Sequence, residues 1–600
     1  MNIRDGRLAI GDDAASVRHP SGERRTTAAR AATLGLPFEP RPDRDGYRAL
    51  PEEALDAGAI EGVAAAIREG KATMATRGGQ SRLFVAPAVH DAALLATRIA
   101  QQPTLRERIV LTTPAAIRRL LLVANQQALV ESAVTRLNRR RPDLSAARLA
   151  TLPQIVVLLA FVALIAGSIS VAGWTAVAVL DILAGLLFLA VVILRMQAIT
   201  LVAHRARQRP SVLPPVDPAG LPVYTVLLPL HDEAHMVADL VAAMERLSWP
   251  RDKLDIKLVV EADDAATIAA IAALKLTAPF ELIKVPVMRP RTKPKALAFA
   301  LPLARGDYVT VYDAEDRPDP LQLLEAHAAF AAAEDDLACL QAPLLIDNAD
   351  RNGLTALFAL EYSVQFDGVL PLLATLDLPL PLGGTSNHFR RAALERIGGW
   401  DPYNVTEDAD LGIRLARFGY RAAMLERPTY EEAPATVRSW LAQRTRWLKG
   451  WMQTALVHLR APRRLVADIG LRRFAGFVLT SIGALVAAAV HPLYLATALM
   501  LLVDPARLWR ADSPALATIT ALNLVNLVAA YLVFVLLSRQ TYRLRRTKRP
   551  AGALLYLPAY WLLLSLACYR ALFELLVAPH HWAKTPHVGR PPRRSRADTA

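Results

Sequence analysis

The chain has 600 residues, 70 Lys and Arg against 55 Asp and Glu, a formal net charge of +15, and 53% hydrophobic against 21% charged residues; its mean hydropathy is +0.25. Average soluble domains are about 45–50% apolar and 25% charged, so these values require long apolar runs with basic flanks, and they exclude disorder, collagen and small disulfide scaffolds. The two cysteines, Cys339 and Cys568, are too few for a disulfide framework and lack zinc-site spacing.

Residues 1–30 are polar and rich in Arg and Ala, and disorder is expected there. Met1 to Asp13 has no apolar core, so no cleavable secretory signal is expected. Residues 31–148 read as an N-terminal cytosolic domain, α/β or mainly helical. Its Leu34-Gly35-Leu36-Pro37-Phe38 resembles the N-terminal domain of type II secretion ATPases. Apolar runs at 152–172 and 175–194 are each long enough to cross a bilayer. Arg139, Arg140, Arg141 and Arg148 precede the pair, and Arg195, His204, Arg205 and Arg207 follow it. The positive-inside rule puts both flanks in the cytosol. Asp181 lies inside the second run, where a structural and a functional role are both open.

Residues 197–470 form a block between membrane pairs, opening on a proline-rich linker at 207–221. Strands expected at 223–230, 254–262, 281–287 and 308–312 alternate with helices at 234–247, 295–303 and 320–333. Such alternation predicts a mostly parallel sheet covered on both faces, whose ligands bind beyond the carboxyl ends of the strands. Polar residues stand at those ends: His231-Asp232-Glu233, Glu261-Ala262-Asp263-Asp264 and Asp313-Ala314-Glu315-Asp316. Singly, Asp264, Asp316 and Asp319 read as helix caps. Several clusters on one edge suit a hard divalent cation that takes phosphate oxygens. No Gly-x-x-x-x-Gly-Lys-Ser/Thr loop occurs, so phosphate recognition falls to metal, Lys and Arg.

Over 436–470, Trp440, Trp447 and Trp451 share a helical face interleaved with Arg438, Arg444, Arg446 and Lys449, as in an interfacial amphipathic helix. Simple anchoring is expected of Trp440 and Trp451. A third apolar run at 474–502 contains His491-Pro492, where a kink is expected. A fourth, at 516–537, is followed by Arg539, Arg543, Arg545, Arg546, Lys548 and Arg549. The last run, 554–578, carries Pro558 and Arg570 and precedes a basic tail at 579–600. A single crossing would export that tail, so a re-entrant or interfacial hairpin is expected, with a further transmembrane helix as the alternative.

Asp263-Asp264, Asp313-Ala314-Glu315, Thr406-Glu407-Asp408 and Gln443-Arg444-Thr445-Arg446-Trp447 occur in that order. They resemble the D, DxD, TED and QxxRW motifs of membrane-embedded processive family 2 glycosyltransferases, the cellulose, hyaluronan and poly-N-acetylglucosamine synthases. Gly383-Gly384-Thr385-Ser386-Asn387-His388-Phe389-Arg390 resembles that family's acceptor-side loop, Gly398-Gly399-Trp400-Asp401 its lead-in to TED, and Trp582-Ala583-Lys584-Thr585-Pro586-His587 a common terminal sequence. The resemblance covers residues 150–588. It implies an α/β GT-A (nucleotide-diphospho-sugar transferase) domain at 215–435, inserted between transmembrane pairs at 152–195 and 474–537. The implied setting is a bacterial inner membrane, with the catalytic domain cytosolic.

The implied chemistry is inverting transfer from a nucleotide sugar of the UDP-glucose or UDP-N-acetylglucosamine type, with Mg2+ or Mn2+, polymerising a β-linked exopolysaccharide for export. By position, Asp263 and Asp264 would hold the nucleoside, and Lys295 would lie beside the donor. Asp313 and Glu315 would bind the metal. The second acid of DxD is here Glu with Asp316 beside it, and either could be the ligand. Asp408, next to Glu407, would be the general base taking a proton from the acceptor hydroxyl. Arg446 would stabilise the leaving diphosphate. Trp447 would stack under the acceptor sugar, supported by Gln443, with Ser386 and His388 on the acceptor side. The implied partners are the donor, a growing glycan or lipid acceptor, membrane lipids, and periplasmic or outer-membrane export proteins, with no nucleic acid. A non-processive transferase glycosylating a lipid, and an inactive transferase-like platform in a secretion assembly, remain as alternatives.

Overall fold

The computed structural model describes residues 20–49, 57–87, 89–208, 213, 215–508 and 514–581. The expected terminal resemblance at 582–587 lies outside the described residues, as do residues 1–19 of the expected disordered segment. Residues 20–30, also expected to be disordered, belong to helix α1 (Pro20–Leu34). This helix is ordered because Ala31, with Leu36 just beyond it, buries against Ile99, Ile109 and Leu111.

The N-terminal domain continues with β1 (Arg48–Ala49), α2 (Ala57–Glu69), β2 (Ala72–Arg77), β3 (Gln80–Val85), α3 (Val89–Gln101), α4 (Leu105–Arg108), β4 (Ile109–Leu111) and α5 (Pro114–Arg140). It is α/β: a four-stranded sheet in the order β1-β2-β3-β4, covered by α5. Thr113 caps α5 by accepting from Ala116 N, and Pro114 occupies its first turn. Ile117 and Leu120 bury against the sheet. Leu129, Val130 and Ala133 of the same helix join the main core. Beyond α5, Ala146 N donates to Asp401 at 2.5 Å, tying this domain to the segment that leads into Thr406-Glu407-Asp408.

Helices α6 (Leu152–Ala172) and α7 (Trp174–Arg205) are joined at Gly173, whose φ of +53° suits a residue without a Cβ. The α/β block follows, with β5 (Tyr224–Leu230), α8 (Val237–Glu245), β6 (Leu254–Glu261), α9 (Ala265–Ala273), β7 (Phe280–Val285), α10 (Lys293–Ala300) and β8 (Tyr308–Val311). Next come β9 (Arg317–Pro318), α11 (Gln322–Ala331), β10 (Leu337–Gln341), β11 (Leu344–Ile346), α12 (Gly353–Ser363) and α13 (Leu370–Thr375). The block ends with β12 (Asn387–Arg390), α14 (Arg391–Arg396), α15 (Glu407–Arg417), β13 (Arg421–Met424) and β14 (Thr429–Glu431). Seven strands form the main sheet in the order β13-β10-β12-β8-β5-β6-β7. Six run in one direction, and β12 is antiparallel to both its neighbours. Strand β6 is buried along its whole length, as a sheet covered on both faces requires.

The chain closes with α16 (Val437–His458), α17 (Pro462–Phe477), α18 (Gly483–Val503), α19 (Pro514–Arg545) and α20 (Leu557–Val577). Among the described residues, six segments are long and apolar enough to cross a membrane by length and composition: Leu152–Ala172, Trp174–Arg205, Gly353–Thr375, Pro462–Val503, Leu516–Arg545 and Ala551–Val577. The third was not anticipated. Its apolar window is 89% buried, and its Glu361 and Asp367 pair with Arg444 and Arg545, so it belongs to the interior of the block.

The expected hairpin at 554–578 is instead one continuous helix, α20. Near its start, Tyr560 meets Trp440 of α16; at its end, Glu574 pairs with Lys449 and the Pro579 carbonyl accepts from Gln453. Leu557, Tyr560, Ala567, Cys568, Ala571 and Leu575 of α20 are buried, while Leu566, Leu572, Phe573 and Leu576 stay exposed. The basic ends of the other helices also hold the block: Arg473 pairs with Asp377 at 2.7 Å and Arg545 with Asp367 at 2.5 Å.

A close approach joins α16 to the start of α15: a Cβ at Gly450 would collide with the Thr406 side chain. Gly450→Ala should therefore push the two helices apart and cost about 1–3 kcal/mol. A lowered Tm of the detergent-solubilised protein would record it; an unchanged Tm would show that the interface yields.

Candidate active site

Thr292 caps α10 by accepting from Lys295 N, and Pro294 lies in the first turn, so the helix begins at Lys293. Lys293 points across the strand ends. Its Nζ donates to Asp313 Oδ1 at 2.5 Å and to the Gly384 carbonyl at 2.6 Å. Burial opposes its charge, yet Asp313 and Glu407 hold its proton affinity above that of an ordinary lysine. One cation thereby joins the β8 turn, the loop before β12 and the head of α15.

Around it lies a cavity of about 430 Å³ lined by Glu233, Asp313, Glu315, Glu407, Asp408 and Glu431, with Lys293 and Arg446 facing them. Burial and neighbouring acids raise the proton affinity of four of them. Glu315 is pushed up to about 8 by burial, Asp313 and Glu233. Glu407 is pushed up to about 7 by burial and Asp408. Burial also raises Asp408, and burial with Asp316, Glu315 and Asp313 holds Glu431 well above the usual carboxylate range. Arg446 is shifted down by burial, against the pull of Glu407, Asp408 and Asp313. Such crowding of carboxylates around Asp313 and Glu315 is the donor set that a hard divalent cation relieves. Gly384 permits the approach: a Cβ there would stand 3.2 Å from Asp408 Oδ2.

On the other side, α16 presents Gln443, Arg446 and Trp447 to the same cavity. Gln443 Oε1 has no hydrogen-bond partner among the described residues. Arg444 holds the helix in place. Its guanidinium makes hydrogen bonds of 2.9 and 2.6 Å to Glu361 and lies 4.6 Å from the Trp447 ring and 4.7 Å from that of Phe358. Behind the acids, His458 Nε2 meets Asp410 Oδ1 at 3.0 Å, tying α15 to α16.

The structure thus brings Asp313, Glu315, Glu407, Asp408, Gln443, Arg446 and Trp447 together around one cavity. Five expectations require correction. Lys295 is fully buried and pairs with Glu261 at 2.6 Å; two residues along a helix is about 200° of rotation, so Lys293 and Lys295 face opposite ways. Ser386 and His388 do not line the cavity. Ser386 Oγ donates to Thr429 at 2.6 Å. His388 lies in the central strand β12 between Tyr224 at 2.7 Å and Gln322 at 3.0 Å, and burial pushes it down to about 3. Trp440 is no membrane anchor, being completely buried with its Nε1 donating to Tyr560; Trp451 likewise lines the cavity.

Asp264 caps α9 through Thr267 N and also accepts from Asp232 N. Asp263 pairs at 2.7 Å with Arg291, a residue of the cavity rim. Asp316 turns inward to Asp313 N and Thr385, whereas Glu315 lines the cavity. Sequence reasoning missed Lys293 and Glu431, and gave Glu233 no role beyond its place in a polar cluster at a strand end. The capping pattern Thr292-Lys293-Pro294 was the available signal for Lys293; nothing local distinguishes Glu431, which the three-stranded sheet β11-β14-β9 brings in.

Residues 308–503 match the family model described as glycosyl transferase family group 2. The match supports a family 2 glycosyltransferase domain over those residues. It is 27% identical over 241 residues to the probable glycosyltransferase YdaM of Bacillus subtilis (strain 168), covering 38% of this chain and 55% of that protein. It is 26% identical over 243 residues to the probable glucomannan 4-beta-mannosyltransferase 1 of Arabidopsis thaliana, covering 39% and 44%. The chain spans about half the length of these curated relatives. Among solved structures, the mannosyltransferase PcManGT from Pyrobaculum calidifontis, in complex with GDP-Man and Mn2+, aligns at 23% identity and a TM-score of 0.37, covering 58% of this chain and 98% of that one.

The two lysines of α10 should separate experimentally. Lys293→Met should lower turnover by about 100-fold or more, as expected for a lost electrostatic contact, with a small change in Tm. Lys295→Met strands the buried Glu261 and should cost about 3–5 kcal/mol of stability. Equal Tm losses in the two variants would contradict this division.

Proposed function

We propose that the protein is an inverting glycosyltransferase that moves a sugar from a nucleotide-sugar donor to a growing β-linked glycan and passes the product into the membrane. What supports the reading most is one cavity that joins a cluster of carboxylates, Lys293 and Arg446 at its polar end to apolar helices α7, α18 and α19 at the other. In this reading, Asp408 takes the proton of the acceptor hydroxyl as its oxygen bonds the anomeric carbon, and the bond to the diphosphate breaks on the opposite face. Lys293 and Arg446 receive the charge of the leaving nucleoside diphosphate. Asp313 and Glu315 would hold a divalent cation, which supplies charge neutralisation for the diphosphate when bound. Asp263, paired with Arg291 at the rim, would meet the nucleoside, with Asp264 shaping that edge as a cap. Trp447 would carry the acceptor sugar.

The lipid-acceptor alternative draws on the same apolar wall, and product size separates the two. The donor panel consists of UDP-glucose, UDP-N-acetylglucosamine and, because several relatives carry mannosyltransferase names, GDP-mannose. Nucleoside diphosphate release with products of many sizes on a gel supports the proposal. A single added sugar on lipid supports the alternative, and no turnover with any donor and Mg2+ or Mn2+ supports the inactive platform.

Asp408→Asn should reduce transfer by at least about 1000-fold while donor binding by calorimetry persists; turnover at the original rate would remove Asp408 from the base role. The raised proton affinities of Glu407 and Asp408 also set a pH dependence. As pH falls, both carboxylates become protonated, and a protonated base accepts nothing. The acidic limb of kcat/KM should therefore lie above the ordinary carboxylate range of about 4. A limb near 4 would contradict the burial argument.

A further inference from the structure

One acid of the helix bundle has no part in the catalytic cavity. Asp181 on α7 is 9% exposed, and neither of its carboxylate oxygens has a hydrogen-bond partner among the described residues. The cavity-lining residue of α7 nearest to it is Phe188, about 10 Å further along the helix. Phe188 packs edge-on against Tyr494 of α18, ring centroids 5.1 Å apart, in an apolar cluster with Val192 and Val533. The acid therefore stands apart from the cavity, on the Gly173 side of that cluster.

Its neighbours are polar as well. Asn523 of α19 lies beside the Asp181 carboxylate, and Tyr494 is within its electrostatic reach. Asn523 and Asn526 are both buried, and their spacing puts them on one face of α19. Asn526 Nδ2 donates to the Gly185 carbonyl at 2.9 Å and reaches Tyr494 Oη at 3.5 Å. Its Oδ1, and both polar side-chain atoms of Asn523, have no partner among the described residues. Gly185 brings the two helices together here, since a Cβ at that position would lie 2.6 Å from Leu522 of α19. Four buried acceptor oxygens are thus left unpaired, both from Asp181 and one from each asparagine.

No Lys, Arg or His pairs with Asp181 among the described residues. Its charge is uncompensated between helices of membrane-spanning composition, where a lone carboxylate is costly. A bound water would supply hydrogen bonds and leave the charge. A proton would cancel the charge, but a carboxylic acid offers a single O–H to its neighbours. A monovalent cation meets both demands, because hard cations take several carboxylate and amide oxygens at once. A divalent ion would leave an unmatched positive charge in the bundle. We infer that Asp181, Asn523 and Asn526 form a binding site for an alkali-metal cation, Na+ or K+, which fastens α7 to α19 beyond the end of the catalytic cavity. The carboxylate and the two amide oxygens are its ligands, with the Tyr494 hydroxyl beside them.

The test uses the full chain purified in detergent, at fixed pH, with choline chloride holding the ionic strength. Radioactive sodium, or rubidium standing for K+, should bind saturably in a scintillation proximity assay. NaCl or KCl should raise Tm along the same saturation curve. Asp181→Asn keeps the shape and removes the charge. It should weaken binding by at least about tenfold, a loss typical of an altered metal site, and flatten the cation dependence of Tm. Asn523→Leu retains the acid and should weaken binding too; it carries the test should Asp181→Asn fail to fold. Binding is read without donor or turnover, so failure of the proposed transferase activity leaves this test intact. Absence of saturable binding to the wild type overturns the site, and so does binding that both variants retain. A wild-type Tm that follows pH but neither cation assigns the neutralising charge to a proton and overturns the metal.

Discussion

Lys293 is the interaction on which the site depends. Acids from three separate segments, at 313–316, 407–408 and 431, meet in a cavity where their mutual repulsion is large. Without a cation held among them, the turn after β8 and the head of α15 would be driven apart. The lysine Nζ contacts Asp313 and the Gly384 carbonyl together, so the loop before β12 is drawn to the same point. A short helix cap at Thr292 decides where that charge stands, and the loop glycine decides how near Asp408 comes.

Helix α16 is the second organising element. Its Arg444 lies between aromatic rings and grips Glu361, which fixes the rotation of the helix and so the directions of Gln443, Arg446 and Trp447. Gly450 lets the same helix touch Thr406, and His458 reaches Asp410. The proposed base and the proposed phosphate-binding arginine are therefore positioned by one rigid contact between two helices. The N-terminal domain touches this assembly through Ala146 and Asp401, just ahead of α15.

Much of this was legible from local pattern. The strand and helix alternation marked four of the seven strands of the main sheet, β5 to β8, to within a residue or two at each end, because apolar repeats report burial directly; β10, β12 and β13 were not anticipated. The acidic clusters marked the carboxyl edge for the same reason. Reading failed where a side chain's direction depends on distant packing. His388 sits in a stretch resembling a loop, yet pairing with β8 and β10 makes it a central strand and turns its ring under the sheet. Trp440 has the spacing of an interfacial anchor, but α20 covers it. The apolar run at 353–375 was passed over because its acids break the pattern; partners in α16 and α19 neutralise them.

The sequence by itself determined the compartments of the molecule and the residue types of its chemistry. Apolar length separates helices fit for a bilayer from the α/β block, and acids with arginine in a set order announce a site for anionic substrate. Only the tertiary structure decided which members of those sets share a cavity. It chose Lys293 over Lys295 and Glu315 over Asp316, left Ser386 in the interior, and made the last helix continuous. The reason is geometric. Composition and spacing are local quantities, whereas electrostatic partnership requires charges to lie a few ångströms apart, and residues hundreds of positions distant meet only when the sheet and α16 have packed.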